Sequence, residues 1–390
     1  MAFGYGLAGL EAARVALAEA MLGLALPRLL DWARWLAPDN PQVWVARAEV
    51  DPAHAVDALE QALQRRPADA SLRIRLALAL EQEGRTKEAE DQLIQATKQD
   101  RGHVPRWALA NFYFRLQDTP NFWRWAREAA RTAPDAAGVY RLCWQLTSDA
   151  RWLMRAIVPP DPRRHAEFFW FLVRVGDLEA AGTVFEDVLA WRHSGHVPLL
   201  VAYCNRLLEL GRIRDALQDW NRLVATGMIR RNRLDPEVGL IITNGEFSEC
   251  PLGSGFDWRI RESQGLGIHW VPGEVRIQAM RTGTRAHRPL VQWTPLRPGC
   301  NYQIDYEYVA AGGKWRWVLL DPRTNRVWAH SSDFLVSARL EHGHFRFSAP
   351  DVQALMLALE WEPGEGEFEV SSLRLRRVVS RLADPVGGNR

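Results

Sequence analysis

Apolar residues recur at helical spacing through roughly the first 235 positions, and then the pattern changes. In the first part leucines, alanines and aromatics return every three or four residues, so one stripe of each segment is apolar and the opposite one polar. From Asn244-Gly245-Glu246-Phe247 onward, short alternating runs stand between clusters of Gly, Pro, Asn and Asp. Examples are Gly255-Phe256-Asp257-Trp258-Arg259, Val275-Arg276-Ile277-Gln278, Leu290-Val291-Gln292-Trp293 and His344-Phe345-Arg346-Phe347. Within the run 302–308, Tyr302, Ile304, Tyr306 and Tyr308 fall on one side, and Gln303, Asp305 and Glu307 on the other. That alternation predicts an antiparallel strand with one face buried. The whole pattern predicts a multidomain α+β protein. A helical solenoid is expected at 1–235, an antiparallel β-sandwich at 236–380 and a flexible tail at 381–390. About ten strand-like runs in the second part suit a jelly roll.

The helical part repeats. Ala55 to Ala89 is 34 residues and Ala89 to Trp123 is again 34, while Gly176…Ala181-x3-Phe185 and Gly211…Ala216-x3-Trp220 follow with a step of 35. Residues 70–101 carry Leu76-Ala77-x2-Leu80, a turn at Gly84, then Ala89-x3-Leu93-x2-Ala96. Residues 104–137 carry Trp107-x2-Ala110-Asn111-x2-Phe114 and close at Pro134, and Ala55-x3-Leu59-x2-Ala62 with Pro67 ends an earlier unit. This register resembles the tetratricopeptide repeat, in which small alanines let paired helices approach and large residues fill the space between units. Residues 138–160 break the pattern and end in Pro159-Pro160-Asp161-Pro162, so a kinked or degenerate unit is expected there. The resemblance implies that peptides or partner proteins dock along the first helices. Arg73, Asn111, Arg115 and Asn205 are the candidate partner-binding residues.

Charge narrows the classes. The net charge is +2, and residues 1–240 hold 31 basic against 30 acidic side chains, leaving 18 against 17 of the totals 49 and 47 for the rest. Neither part has the basic excess that nucleic acid demands, so no nucleic-acid partner is expected. Of the 49 basic residues three are Lys, leaving 46 Arg, which together with 18 Trp favours guanidinium stacking and fixed ion pairs. The four cysteines form no Cys-x-x-Cys; Cys143 and Cys204 read as buried thiols, and one Cys250–Cys300 bridge is conceivable in an oxidising compartment. His342-Gly343-His344 and His193-x-x-His196 each lack a third ligand nearby. There is no nucleophile elbow, phosphate loop or dinucleotide fingerprint. The expectation is therefore no catalytic residues, no metal and no cofactor.

In the second part, Asn244-Gly245-x-Phe247, Gly255-Phe256-Asp257-Trp258-Arg259 and Gln292…Pro298-Gly299-x-x-Tyr302 resemble carbohydrate-binding-module-like jelly rolls. Together with Ala110-Asn111-Phe112-Tyr113 and Cys143-Trp144 upstream, the chain resembles a group of bacterial tetratricopeptide-repeat proteins associated with cell-envelope and exopolysaccharide systems. In such sandwiches an acid after the Asn-Gly-x-Phe and a late Asp can hold a structural calcium. Here Ser248 and Ser371-Ser372 stand in those places, so no calcium is expected. A sugar needs an aromatic platform beside polar groups. Trp293, Trp315, Trp317 and Trp328, with Trp270 as a further ring, are the candidate platform, and Gln292, Asp305, Glu307 and Arg316 the polar neighbours.

The functional expectation is a non-enzymatic adaptor whose solenoid binds a protein and whose sandwich binds a glycan or envelope component. One rival is a glycoside hydrolase using carboxylates among Asp257, Asp305, Glu307 and Glu360. Another is a purely architectural protein. Residues 7–30 are apolar but interrupted by Glu11, Arg14 and Glu19, so an amphipathic helix is expected there and no transmembrane segment. They lack the form of a signal peptide. Read literally the chain is cytoplasmic, whereas the resemblance implies the bacterial envelope on its periplasmic side, with a leader encoded upstream.

Overall fold

The structure is a computed structural model that describes residues 27–280 and 286–378, with scattered positions between 14 and 21. The helix expected over 7–30 falls mostly outside these residues, and the tail at 381–390 wholly so. The chain divides into two compact units, Met1–Val184 and Phe185–Arg390.

The described elements of the first unit are all helices. Its helices are α1 (Pro27–Leu36), α2 (Pro41–Val50), α3 (Ala55–Arg65), α4 (Ala70–Gln82), α5 (Thr86–Gln99), α6 (His103–Arg115), α7 (Thr119–Thr132), α8 (Ala137–Leu146), α9 (Ala150–Ala156) and α10 (Pro162–Val175). The pairs α2/α3, α4/α5 and α6/α7 are the repeats that the 34-residue register predicts. Ala62, Ala89, Ala96, Ala110, Ala126 and Ala129 are fully buried, where a larger side chain would hold the helices apart. Side-chain caps begin five of these helices: Asn40, Asp69, Asp118, Asp149 and Asp161 each accept from a backbone N–H of the first turn. The degenerate unit expected at 138–160 is the pair α8 and the seven-residue α9, stopped by Pro159-Pro160. α11 (Leu178–Leu189) runs across the division.

The second unit begins helically, with α12 (Val197–Glu209) and α13 (Ile213–Ala225), and continues into strands. These are β1 (Arg259–Ile260), β2 (Leu266–Val271), β3 (Glu274–Ala279), β4 (His287–Pro295), β5 (Asn301–Leu320), β6 (Val327–His330), β7 (Ser337–Ser348) and β8 (Ala354–Val378). Every strand pairing is antiparallel. The long strands β5 and β8 pair with each other along both of their halves and so serve two layers. One layer runs β1-β4-β8-β5-β6, using Met356–Glu362 of β8 and Lys314–Leu320 of β5. The other runs β2-β3-β8-β5-β7, using Gly366–Val378 and Asn301–Gly312.

The two strands turn from one layer to the other at Gly312-Gly313 and Gly364-Glu365-Gly366, where the register shifts. Gly312 has φ +98 and Gly313 φ +75, and a Cβ on Gly366 would overlap the Gly312 carbonyl group, so glycine is required there. Inward-facing residues of both layers build one core. Tyr302, Ile304, Tyr306 and Tyr308 join Trp315, Trp317, Leu357, Leu359, Trp361 and Phe368 in it. All four cysteines are free thiols, Cys143 and Cys204 buried. Among the described residues no helix is long and apolar enough to cross a membrane.

Candidate functional site

Within the first unit, the first helices of successive pairs are joined by arginine–glutamate contacts. Arg75 on α4 reaches Glu49 on α2 at 2.5 Å, and Arg115 on α6 clasps Glu81 on α4 with bonds of 2.7 and 2.6 Å. Two parallel N–H···O bonds fix Arg115 in geometry as well as charge. Past its C-terminal end, α6 opens a cleft of about 480 Å³ lined by Tyr113, Phe114, Phe122 and Leu146, with Arg115, Gln117 and Thr119 around it. Leu146 is exposed there, and Leu116 is exposed in the turn after α6. The turn that shapes the cleft places Gln117 at φ +59, with Gln117 N–H donating to Phe114 O and Asp118 N–H to Tyr113 O. The same bonds close α4 through Gly84 and α12 through Gly211, so Gln117 occupies a position that glycine fills in other repeats.

The four expected partner-binding residues have different fates. Arg73 spends its guanidinium on Gln99, Gln92 and the Pro67 carbonyl, tying the two helices of its own pair together. Asn111 donates to Trp107 O, one turn back on the same helix. Arg115 alone of the four borders the cleft. Asn205 belongs to the second unit, where its Oδ1 accepts from Arg259 at 2.6 Å and its Nδ2 donates to Glu209.

That contact is part of a rivet between α12/α13 and the sandwich, built on Gly255-Phe256-Asp257-Trp258-Arg259. Phe256 packs edge-on to the fully buried Trp220 of α13 with centroids 5.9 Å apart, and Gly255, at φ +62, leaves room for the same ring. Trp258 points into the sandwich core against Phe247 and Trp317 and donates to Asn244 O at 3.0 Å. Asp257 is fully buried and accepts from Arg231 at 3.0 and 2.7 Å and from Leu252 N–H at 2.7 Å. Arg259 donates to Asn205 and to Gly255 O, and burial pulls its guanidinium down to about 10, helped by the nearby Arg261. Of the arginines in Arg230-Arg231-x-Arg233, Arg231 pairs with Asp257.

The aromatic platform expected on the sandwich is mostly core. Trp315 and Trp317 are 1% and 0% exposed and stack within the barrel of aromatics formed by Phe368, Trp361, Trp258 and Tyr306. They alternate inward with Leu319 along β5, so no ring face is open to a sugar. Trp293 is buried, and Trp270 is partly buried with its indole N–H bound to Phe247 O. Gln292 is also buried, donating to Thr243 O at 2.7 Å. Arg316 is committed, with Arg288, to the buried Glu360. Burial alone would raise that carboxyl, but the hydrogen bonds from the two guanidiniums hold it below its ordinary value. Trp328 remains, half exposed, with its N–H on Ser348 O.

Asp305 and Glu307 do reach the outer face of the second layer. There Arg346, Gln303, Asp305 and Arg376 form a hydrogen-bonded row across β7, β5 and β8, with distances of 2.8, 2.6 and 3.1 Å. Glu307 lies 3.5 Å from His342. His342 and His344 share this face and are exposed. The two carboxylates stand two residues apart on one strand rather than across a cleft, which is not the opposed pair glycoside hydrolysis requires. Among the described residues no group of three His, Cys, Asp or Glu side chains could hold a metal ion.

With α12/α13 riveted to the sandwich, a second cleft of about 400 Å³ opens between α13, the connector 233–237 and the loop 295–298. Neither cleft was anticipated from the sequence. Phe114 is legible there only as a repeat packing residue, and nothing in the sequence singles out Arg214 or Arg233 as lining a cleft.

Residues 46–111 match the family model described as tetratricopeptide repeat. No curated protein matches the chain. Among solved structures, one described as "CBM4 structure and function" is 18% identical, covers 35% of this chain and 99% of its own, and has a TM-score of 0.31. A carbohydrate binding module from Cellvibrio mixtus lichenase 5A, in complex with cellotriose, is 8% identical over 31% of this chain and 92% of its own, with a TM-score of 0.24. YrrB, a TPR protein with an unusual peptide-binding site, is 12% identical over 52% of this chain and 93% of its own, with a TM-score of 0.25. The class defined by the fold is a helical-repeat protein with a C-terminal antiparallel β-sandwich.

Proposed function

We propose that this protein is a non-catalytic adaptor: the helical repeats dock a segment of a partner protein, and the sandwich engages a glycan or another component of the bacterial envelope. The observation that carries the reading is the apolar cleft of Tyr113, Phe114, Phe122 and Leu146, set directly after the residues that match the tetratricopeptide repeat. Its size suits one bulky apolar side chain of an extended peptide, and the charged rim at Arg115 and Glu81 gives register. On the sandwich, Arg346, Asp305 and Arg376 of the outer row supply donors and acceptors to hydroxyls, and the half-exposed Trp328 supplies an exposed ring elsewhere on the same unit. Polysaccharide production or export, on the periplasmic side, is the setting in which both halves have a use.

A peptide library displayed on phage and selected on the full chain tests the protein-docking half. Enriched sequences with a shared aromatic or leucine anchor are expected, and Phe114→Ala with Leu146→Ala should weaken them at least about tenfold. Peptides that bind the double variant equally well, with its helical circular dichroism intact, would overturn this reading. For the sandwich, soluble envelope polysaccharides are assayed for binding and for cleavage. Loss of a measurable cleavage activity in Asp305→Asn/Glu307→Gln would replace the adaptor by a hydrolase.

A further inference from the structure

The cleft beside α13 is built differently from the repeat cleft. Leu234 and Leu296 are buried at its base, and Pro236, Pro295 and Pro298 stiffen its walls. Asn221 of α13 holds the connector in place from both sides, donating to Leu234 O at 2.8 Å and accepting from Leu234 N–H at 2.9 Å. The space is therefore formed before any ligand arrives. At about 400 Å³ it has the volume of a small-molecule site, not of a protein interface.

Its charges are unequally committed. The acids Asp235 and Glu237 are both engaged, Asp235 accepting from Glu237 N–H and Glu237 pairing with Arg297. Arg214 and Arg233 line the same cleft, are exposed, and have no hydrogen bond or ion pair among the described residues. Two uncommitted guanidiniums facing a preformed pocket select an anion, and their planar fork matches a carboxylate. Gln218 and Gln353, also on the lining, offer amides suited to hydroxyl groups.

We propose that this cleft binds an acidic sugar, a uronic acid residue. Its carboxylate lies against Arg214 and Arg233, its hydroxyls meet Gln218 and Gln353, and its ring rests on the proline and leucine walls. This rests on the reading of the sandwich unit as glycan-binding and narrows the glycan to a uronate-containing one.

Isothermal titration calorimetry of the full chain with sodium glucuronate, a galacturonate oligomer, glucose and inorganic phosphate tests it. The uronates are expected to bind, glucose to bind at least about tenfold more weakly, and Arg214→Ala/Arg233→Ala to lose the uronate preference with an unchanged melting temperature. A second variant, Gln353→Ala, should weaken uronate without abolishing the preference over glucose. Phosphate binding as tightly as uronate, or uronate binding untouched by the double arginine variant, would overturn the proposal. If neutral polysaccharide binds the wild type while uronates do not, the acidic-sugar site fails and the glycan reading stands. If no sugar binds at all, both fall.

Discussion

Gly255, at the helix–sandwich contact, and Asp219, buried on α13, illustrate how single residues carry measurable weight. At Gly255 a Cβ would lie 2.6 Å from the Trp220 ring, and the backbone φ is +62, so side-chain bulk and backbone strain act together. Gly255→Ala is expected to destabilise by about 2–4 kcal/mol, read by chemical denaturation. Asp219 on α13 is buried, and that burial raises its carboxyl from the ordinary 3.8 to about 6 despite the hydrogen bond from Arg222 at 2.9 Å. Because the folded carboxyl holds its proton to a higher pH than the unfolded one, stability is greatest below about pH 4 with respect to this group. It is lost as pH rises through about 6, on the order of 3 kcal/mol in all. Asp219→Asn keeps a partner for Arg222 and removes the titration. Its stability relative to wild type should rise across that window in denaturation curves taken from pH 4 to 7. A constant difference would show that Asp219 does not titrate there.

At the scale of elements, the corner of β5 and β8 decides whether there are two layers or one. Paired strands of 20 and 25 residues would otherwise continue as one twisted ribbon. The close approach of Gly366 to Gly312 lets both bend at the same place. Gly366→Ala is therefore expected to cost several kcal/mol and to broaden the near-ultraviolet signal of Trp315 and Trp361, which pack just beyond the bend. The alternating run at 302–308 shows how much of this is legible in sequence. Its inward tyrosines and outward Asp305 and Glu307 can be read directly, because period-two alternation is a local property. Trp315 and Trp317 cannot be assigned to core or platform that way. Both lie on the inward side of a strand, and only the opposing layer shows that the space above them is filled.

For the whole molecule, the units Met1–Val184 and Phe185–Arg390 suggest a division that places α12 and α13 with the sandwich. A protein comprising residues 185–390 is expected to fold with a single cooperative transition. One beginning at residue 236 should be destabilised or unfolded, because it keeps the buried Asp257 and loses Arg231, and because Phe256 loses Trp220. Differential scanning calorimetry of the two proteins is the check; equal melting temperatures would show that the helices are dispensable.

Sequence alone determined the helical repeats, their 34-residue step and the antiparallel strands, because each follows from spacing along the chain and from the few side chains small enough for close helix contacts. It also marked Gly255-Phe256-Asp257-Trp258-Arg259 as distinctive without saying why. Tertiary structure decided the rest. It placed Phe256 and Trp258 in different packings, buried Asp257 against Arg231, and consumed Arg73, Asn205, Gln292 and Arg316 in internal bonds. A polar residue is free for a ligand only if no other part of the fold claims it. That depends on neighbours far away in sequence: Glu237 on the second cleft is taken by Arg297, sixty residues on, while Arg214 and Arg233 on the same cleft have no partner among the described residues.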